Sequence, residues 1–250
     1  SMTARTTPDA AKLLVDCLAE QGADRIFTVP GESFLQVLDA LHGRDDIDVV
    51  TCRQEGGAGF MACADGSMTG RPGIAFVTRG PGATNASIAV HVAQQDSQPM
   101  IMFVGDVARD MREREGFQEI DFPAFFGPIC KWAARIDNAD RIPEFVSRAY
   151  ATAISGRPGP VVLALPEDML DDTTSGTPRP YVARPPQAAC PDAMQTLLAM
   201  ISDAASPIAI IGGAGWNPKA RENFQQFAER IGLPVATAFR RQDAISPASP

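Results

Sequence analysis

The sequence predicts an α/β fold: a doubly wound, mainly parallel six-stranded sheet with helices on both faces, followed by an incomplete second α/β unit. Three observations predict it. Strand-length apolar runs recur without polar alternation, the pattern of strands covered on both faces. Helical periodicity lies between several of them. Glycine-containing loops follow the runs, where an open parallel sheet binds its ligands.

The elements follow in order. Thr7-Pro8 reads as an N-cap with proline at the first helical position, and Gly22 closes that helix. Residues 25–29 are strand-like. Phe34, Val37, Leu38 and Leu41 then share one helical face. Further strand-like runs span 47–52, 73–78, 100–104, 131–136 and 161–165, with helical stretches at 56–68, 84–94 and 141–155. Residues 112–131 read as irregular. The predicted domain is 1–170. Residues 171–191, rich in Pro, Thr, Ser and Gly, read as a linker. A second unit occupies 192–250, with Asp192 as a helix cap, strands at 208–211 and 235–238, and a helix from Asn217-Pro218 to Gly232. Two strands are fewer than an independent doubly wound domain needs, so the chain is expected to end inside this unit.

Composition excludes several classes. The net charge is −8 and no basic run occurs, which argues against a nucleic-acid surface. No apolar stretch reaches membrane-spanning length. The N-terminal residues lack a signal-peptide pattern, and a cytoplasmic location is expected. The 5 cysteines, at 17, 52, 63, 130 and 190, form no Cys-x-x-Cys pair and are expected to be buried free thiols. Two histidines, His42 and His91, are too few for a His-rich metal site.

The loops carry the chemistry. Glu55 stands where the run through Val49-Val50-Thr51 stops and a small-residue helix begins, so its carboxylate is expected at a strand end. A helix N-terminal carboxylate complementing the macrodipole is the plainer alternative. Val29-Pro30-Gly31-Glu32-Ser33 follows the first strand, and Thr78-Arg79-Gly80-Pro81-Gly82-Ala83-Thr84-Asn85 the third. The Gly80-x-Gly82 pair, with Asp106 further on, also permits a dinucleotide reading, although Asn85 stands where a third glycine belongs. Gly212-Gly213-Ala214-Gly215 reads as a tight turn.

Val-Pro-Gly, Arg-x-Glu before a small-residue helix, Ala64-Asp65-Gly66, Thr69-Gly70, Gly-Pro-Gly-Ala-Thr-Asn, Phe117-Gln118-Glu119 and Gly156-Arg157-Pro158-Gly159-Pro160 occur in one order. Together they resemble the N-terminal pyrimidine-binding domain of thiamine-diphosphate enzymes of the acetohydroxyacid synthase and pyruvate oxidase group. The resemblance is strong from residue 7 to about 170 and weaker to Pro250.

The resemblance implies roles. Glu55 would hydrogen-bond a ring nitrogen of the cofactor's aminopyrimidine and exchange a proton with it, a task that suits a carboxyl raised towards neutrality. Pro30, Gly31, Gly80, Gly82 and Asn85 would lie beside the cofactor. Gln118 would reach the reaction centre, or alternatively be a solvated loop amide. Lys131 matches a family lysine, or starts an exposed strand edge. Glu32 stands where the synthases usually carry glycine, so a 2-oxo acid could be repelled. Arg79 replaces a small residue and could attract an anion. The adjacent histidines of simple decarboxylases are missing, which favours carboligation. The flavin-carrying members hold FAD near an arginine matching Arg157. The family's Gly-Asp-Gly motif for diphosphate and Mg2+ is absent, so that site is expected beyond Pro250, and the 250-residue chain alone is expected to be inactive.

The implied function is decarboxylation of a small-molecule 2-oxo acid with transfer of the remaining unit to a second carbonyl, in a homodimer or homotetramer with the site between subunits. The alternatives are a lyase or hydrolase on 2-oxo or acyl-CoA substrates, and a non-catalytic nucleotide-binding or interaction module.

Overall fold

The computed structural model describes residues 9–181, 183 and 188–249. The predicted Thr7-Pro8 cap lies outside them. The chain divides into two compact units at 182/183.

The first unit alternates helices and strands: α1 (Asp9–Glu20), β1 (Arg25–Thr28), α2 (Leu35–Leu41), β2 (Asp48–Thr51), α3 (Glu55–Thr69), β3 (Gly73–Val77), α4 (Pro81–Asp96), β4 (Met100–Asp106), α5 (Phe122–Phe126), β5 (Trp132–Arg135), α6 (Ile142–Ile154) and β6 (Pro160–Pro166). The six strands form one sheet in the order β2-β1-β3-β4-β6-β5. Every pairing is parallel, as predicted. Between β1 and β3 the winding changes direction. Such a switch point opens a crevice at the carboxyl ends of the strands.

Period-two alternation distributes the core. Ile74 and Phe76 of β3 join α1 and α6 side chains such as Leu14, Leu18 and Val146 on one face. Ala75 and Val77 join Ala58, Ala62, Ala86 and Val90 of α3 and α4 on the other. Phe76 stacks on Phe103 with centroids 4.6 Å apart, across the register pair β3–β4.

The α3–α4 layer is built from small residues. A Cβ added at Gly59 would stand 2.6 Å from Ala89 Cβ, and one at Gly56 would stand 3.2 Å from the Asn85 carbonyl oxygen. Gly66 and Gly73 meet the Pro99 and Ala62 carbonyls, leaving no room for a side chain. Gly70, at φ 72°, ends α3 in the left-handed conformation.

Several expectations change. Asp106 is fully buried and accepts 2.5 Å from Arg135 Nε, so it cannot serve a ribose. Burial raises its pKa, and the guanidinium opposes that. Lys131 is not an exposed edge residue: its Nζ donates to the Thr152 and Ser155 carbonyls at the end of α6. The segment read as irregular contains α5. Of the cysteines, Cys17, Cys63 and Cys130 are buried, but Cys52 is half-buried and Cys190 is exposed. The stretch after β6 is fastened to the first unit: Gln21 donates to the Arg179 carbonyl, and Thr174 donates to Asp140.

In the second unit, α7 (Pro191–Asp203), β7 (Ala209–Ile211), α8 (Pro218–Ile231) and β8 (Val235–Thr237) follow, with β7 and β8 parallel. Asn217 Oδ1 accepts from the Ala220 N–H and caps α8. Asp192 is not a cap. Pro191 already occupies the first helical position and Cys190 stands before it.

Candidate active site

Glu55 is the first residue of α3, four positions after Thr51, the last residue of β2, rather than a strand-end residue. The reason is local. Gln54 adopts extended angles and its side chain accepts 2.9 Å from the Gly57 N–H, so the helix begins one residue later. Glu55 therefore sits in the positive field of the first turn. It is half-buried.

The start of α4 stands beside it. Asn85 Nδ2 donates 3.0 Å to Glu55 Oε2. Glu55 Oε1 has no hydrogen-bond partner among the described residues and lies 3.6 Å from where a Cβ at Gly82 would stand. That same Cβ would meet Thr78 Cγ2 at 2.8 Å. One oxygen is thus oriented by an amide, and the other stands without a hydrogen bond among the described residues beside a backbone without a side chain.

Thr78 links this pair to the loop after β1. Its hydroxyl shares a 2.8 Å hydrogen bond with Ser33 Oγ, and a Cβ at Gly31 would stand 2.5 Å from Thr78 Cβ. Gly31 and Ser33 are thereby pinned on the end of β3. Pro30 and Glu32, on either side of Gly31, are exposed. The Glu32 carboxylate has no hydrogen-bond or ion-pair partner among the described residues, although its backbone carbonyl accepts from the Leu35 N–H.

Gln118 meets the same cluster from the loop after β4. Gly80 has φ 60°, and a Cβ there would stand 2.6 Å from Gln118 Cβ, so glycine is required twice over. Glu113, Glu115 and Gln118 all hold positive φ without being glycine. Such backbone persists only where surrounding bonds over-determine it. Here Glu119 accepts from the Glu113 and Gly116 N–H groups at 2.7 and 2.9 Å, which lowers its pKa. Arg79 Nε donates 3.1 Å to the Phe117 carbonyl while its Nη1 pairs with Glu167 at 2.7 Å. Arg79 is therefore a loop tie, not a free anion site. An open cavity of about 400 Å3 is lined by Gln118, Glu119 and Asp121, among others.

Arg157 is not brought to this cluster. Its Nε donates to Ser97 Oγ and its Nη2 to the Gln94 and Gln95 carbonyls, where it caps the far end of α4. Asn85 and Gln95 are ten residues apart on that helix, roughly 15 Å. Among the described residues, no group of three or more His, Cys, Asp or Glu could hold a metal ion.

Sequence reasoning missed Thr78 and Gln54. A hydroxyl just before the glycine loop and an amide just before the helix were the available signals.

Two family models match the chain: the thiamine pyrophosphate enzyme N-terminal TPP binding domain over residues 8–125, and the thiamine pyrophosphate enzyme central domain over 194–250. The chain belongs to the thiamine pyrophosphate enzyme family. It is 32% identical over 237 residues to an acetolactate synthase of Bacillus subtilis, covering 94% of this chain and 41% of that protein. It is 34% identical over 231 residues to an acetolactate synthase large subunit of Corynebacterium glutamicum, covering 91% and 37%. Against a catabolic acetolactate synthase of Raoultella terrigena the identity is 32% over 250 residues, covering 89% and 44%. The chain thus spans about two fifths of the length of these curated relatives.

Proposed function

We propose that the protein is a thiamine-diphosphate-dependent carboligase of the acetolactate-synthase type, which decarboxylates a 2-oxo acid and passes the remaining unit to a second carbonyl. The observation that carries this reading is the Glu55 carboxylate, with Oε2 held by Asn85 and Oε1 unpartnered beside Gly82. Thiamine diphosphate, when bound, supplies a carbon nucleophile once a proton has been lost. Glu55 Oε1 would hold or exchange a proton at a pyrimidine ring nitrogen. Asn85 would fix the carboxyl's orientation. Gly31 and Gly82 would let backbone lie against a flat ring. The Gln118 amide, on its tied loop, would donate to a substrate oxygen.

Mg2+ and the diphosphate group are part of the proposal, but no residue of this chain is assigned to them. FAD rests on Arg157 alone, whose Nε and Nη2 are bonded to the end of α4. A homo-oligomer is proposed on the exposed outer faces of α3 and α4, where Met68 is 88% and Ile88 55% exposed. The unpaired Glu32 beside Gly31 supports a preferred substrate other than a pair of pyruvates. The nucleotide-binding alternative loses its acidic partner, since Asp106 is committed to Arg135.

Glu55→Gln tests the reading. The amide keeps the size but cannot exchange the proton, so turnover should fall by about a hundred- to ten-thousand-fold with the fold intact. Exchange of the cofactor's acidic carbon-bound proton for deuterium, followed by NMR, reads the step directly. An unchanged exchange rate in the variant removes Glu55 from this role.

A further inference from the structure

At the end of the sheet remote from Glu55, a partly open cavity of about 10 Å3 is lined by Gly22, Asp24, Arg25, Asp65, Arg71 and Tyr150, among others. Two of its groups have hydrogen-bonding capacity that no described residue uses. Tyr150, on α6, is 2% exposed, and its buried hydroxyl makes no hydrogen bond. Asp65, on α3, receives no N–H or O–H at its carboxylate among the described residues. The nearest cation, Arg25 Nη1, is 3.7 Å away, beyond hydrogen-bond length. Burial raises the pKa of both groups. One cavity therefore contains a buried donor without an acceptor and a half-buried carboxylate, ion-paired with Arg25, whose oxygens accept no hydrogen bond among the described residues. A buried hydroxyl left in that condition is rare in native proteins.

The other groups restrict what could join them. Arg71 is already committed, donating 2.7 Å to the Gly22 carbonyl and 2.7 Å to Asp24. The lining carries two carboxylates and two guanidinium groups, so neither a cation nor an anion is favoured. The volume is that of about one water molecule, too small for an organic ligand.

We propose that this cavity is a built site for one water molecule, which accepts from the Tyr150 hydroxyl and donates to the Asp65 carboxylate. The water joins α3 to α6 at the amino ends of β1 and β3, and it holds the end of α3 opposite the one that carries Glu55. The site is independent of the proposed catalytic reading.

A high-resolution crystal structure of the protein, together with thermal unfolding of Tyr150→Phe, Asp65→Ala and the double variant, tests the site. Density for one water within hydrogen-bond distance of both side chains is expected. Tyr150→Phe should lower Tm by about 2–4 °C, the shift that corresponds to one lost bond in a domain of this size. In the Asp65→Ala background the same change should have a smaller effect, because the bridge is already broken. A dry site in the density, a Tm unchanged or raised by Tyr150→Phe, or strictly additive substitutions would each overturn the proposal. The density on the parent protein decides the matter even if a variant fails to fold.

Discussion

Replacing Gly59 with alanine should move the proposed catalytic pair without touching it. Gly59 lies four residues after Glu55 on α3, and Ala89 lies four residues after Asn85 on α4. The new methyl carbon would stand 2.6 Å from Ala89 Cβ. Carbon atoms in comfortable contact are about 3.5–4.0 Å apart, so the helices must separate by about 1 Å. The Asn85–Glu55 hydrogen bond, now 3.0 Å, would stretch towards 4 Å and cease to orient the carboxyl. Two energies compete. Alanine improves an interior helix position by about 1 kcal/mol, whereas overpacking costs about 1–3 kcal/mol. The net is a loss of about 0–2 kcal/mol, or a Tm lowered by at most about 8 °C. Cofactor-dependent turnover should fall by more than stability does, since misplacement by about 1 Å can cost a hundredfold. Thermal unfolding and steady-state kinetics on the same preparation provide both numbers. A raised Tm with full turnover would refute the idea that glycine at this helix crossing sets the Glu55–Asn85 geometry.

Three further outcomes are expected. Glu119→Gln should loosen the loop that carries Gln118. In the parent the depressed carboxyl gives a contribution present in full above the ordinary carboxylate range and lost as pH falls through its lowered folded value. Protection of the Glu113 and Gly116 amides, measured relative to their intrinsic exchange at each pH, should therefore fall on acidification in the parent and be low at all pH in the variant; pH-independent protection in both would oppose this. Arg157→Met should lower stability by about 1–2 kcal/mol through loss of the α4 cap, measured by urea unfolding, and an unchanged midpoint would show the cap to be idle. Glu32→Gln should raise kcat/KM for anionic 2-oxo acids several-fold, about 1 kcal/mol of relieved repulsion, with the gain shrinking at high salt; a salt-independent or absent gain would place Glu32 away from the substrate.

The periodicities were enough for the sheet. Unbroken apolar runs, glycine stops and helical spacing are local records of burial on both faces, so the strands and most helix limits were legible to within a few residues. The glycine loops beside the candidate site were legible as well, because tight turns and close approach admit few residue types. Their partners were not. That Asn85 rather than solvent holds Glu55, that Arg79 is spent on Glu167 and Phe117, and that Asp106 lies buried against Arg135 depend on pairs separated by 29 to 88 positions. Arg157 shows the limit most clearly: its motif is conspicuous in the chain, yet its position at the end of α4 depends on how β6 is reached from α6. A charged side chain takes whichever complementary group the fold brings within about 3 Å, and that distance exists only after the strands have been ordered.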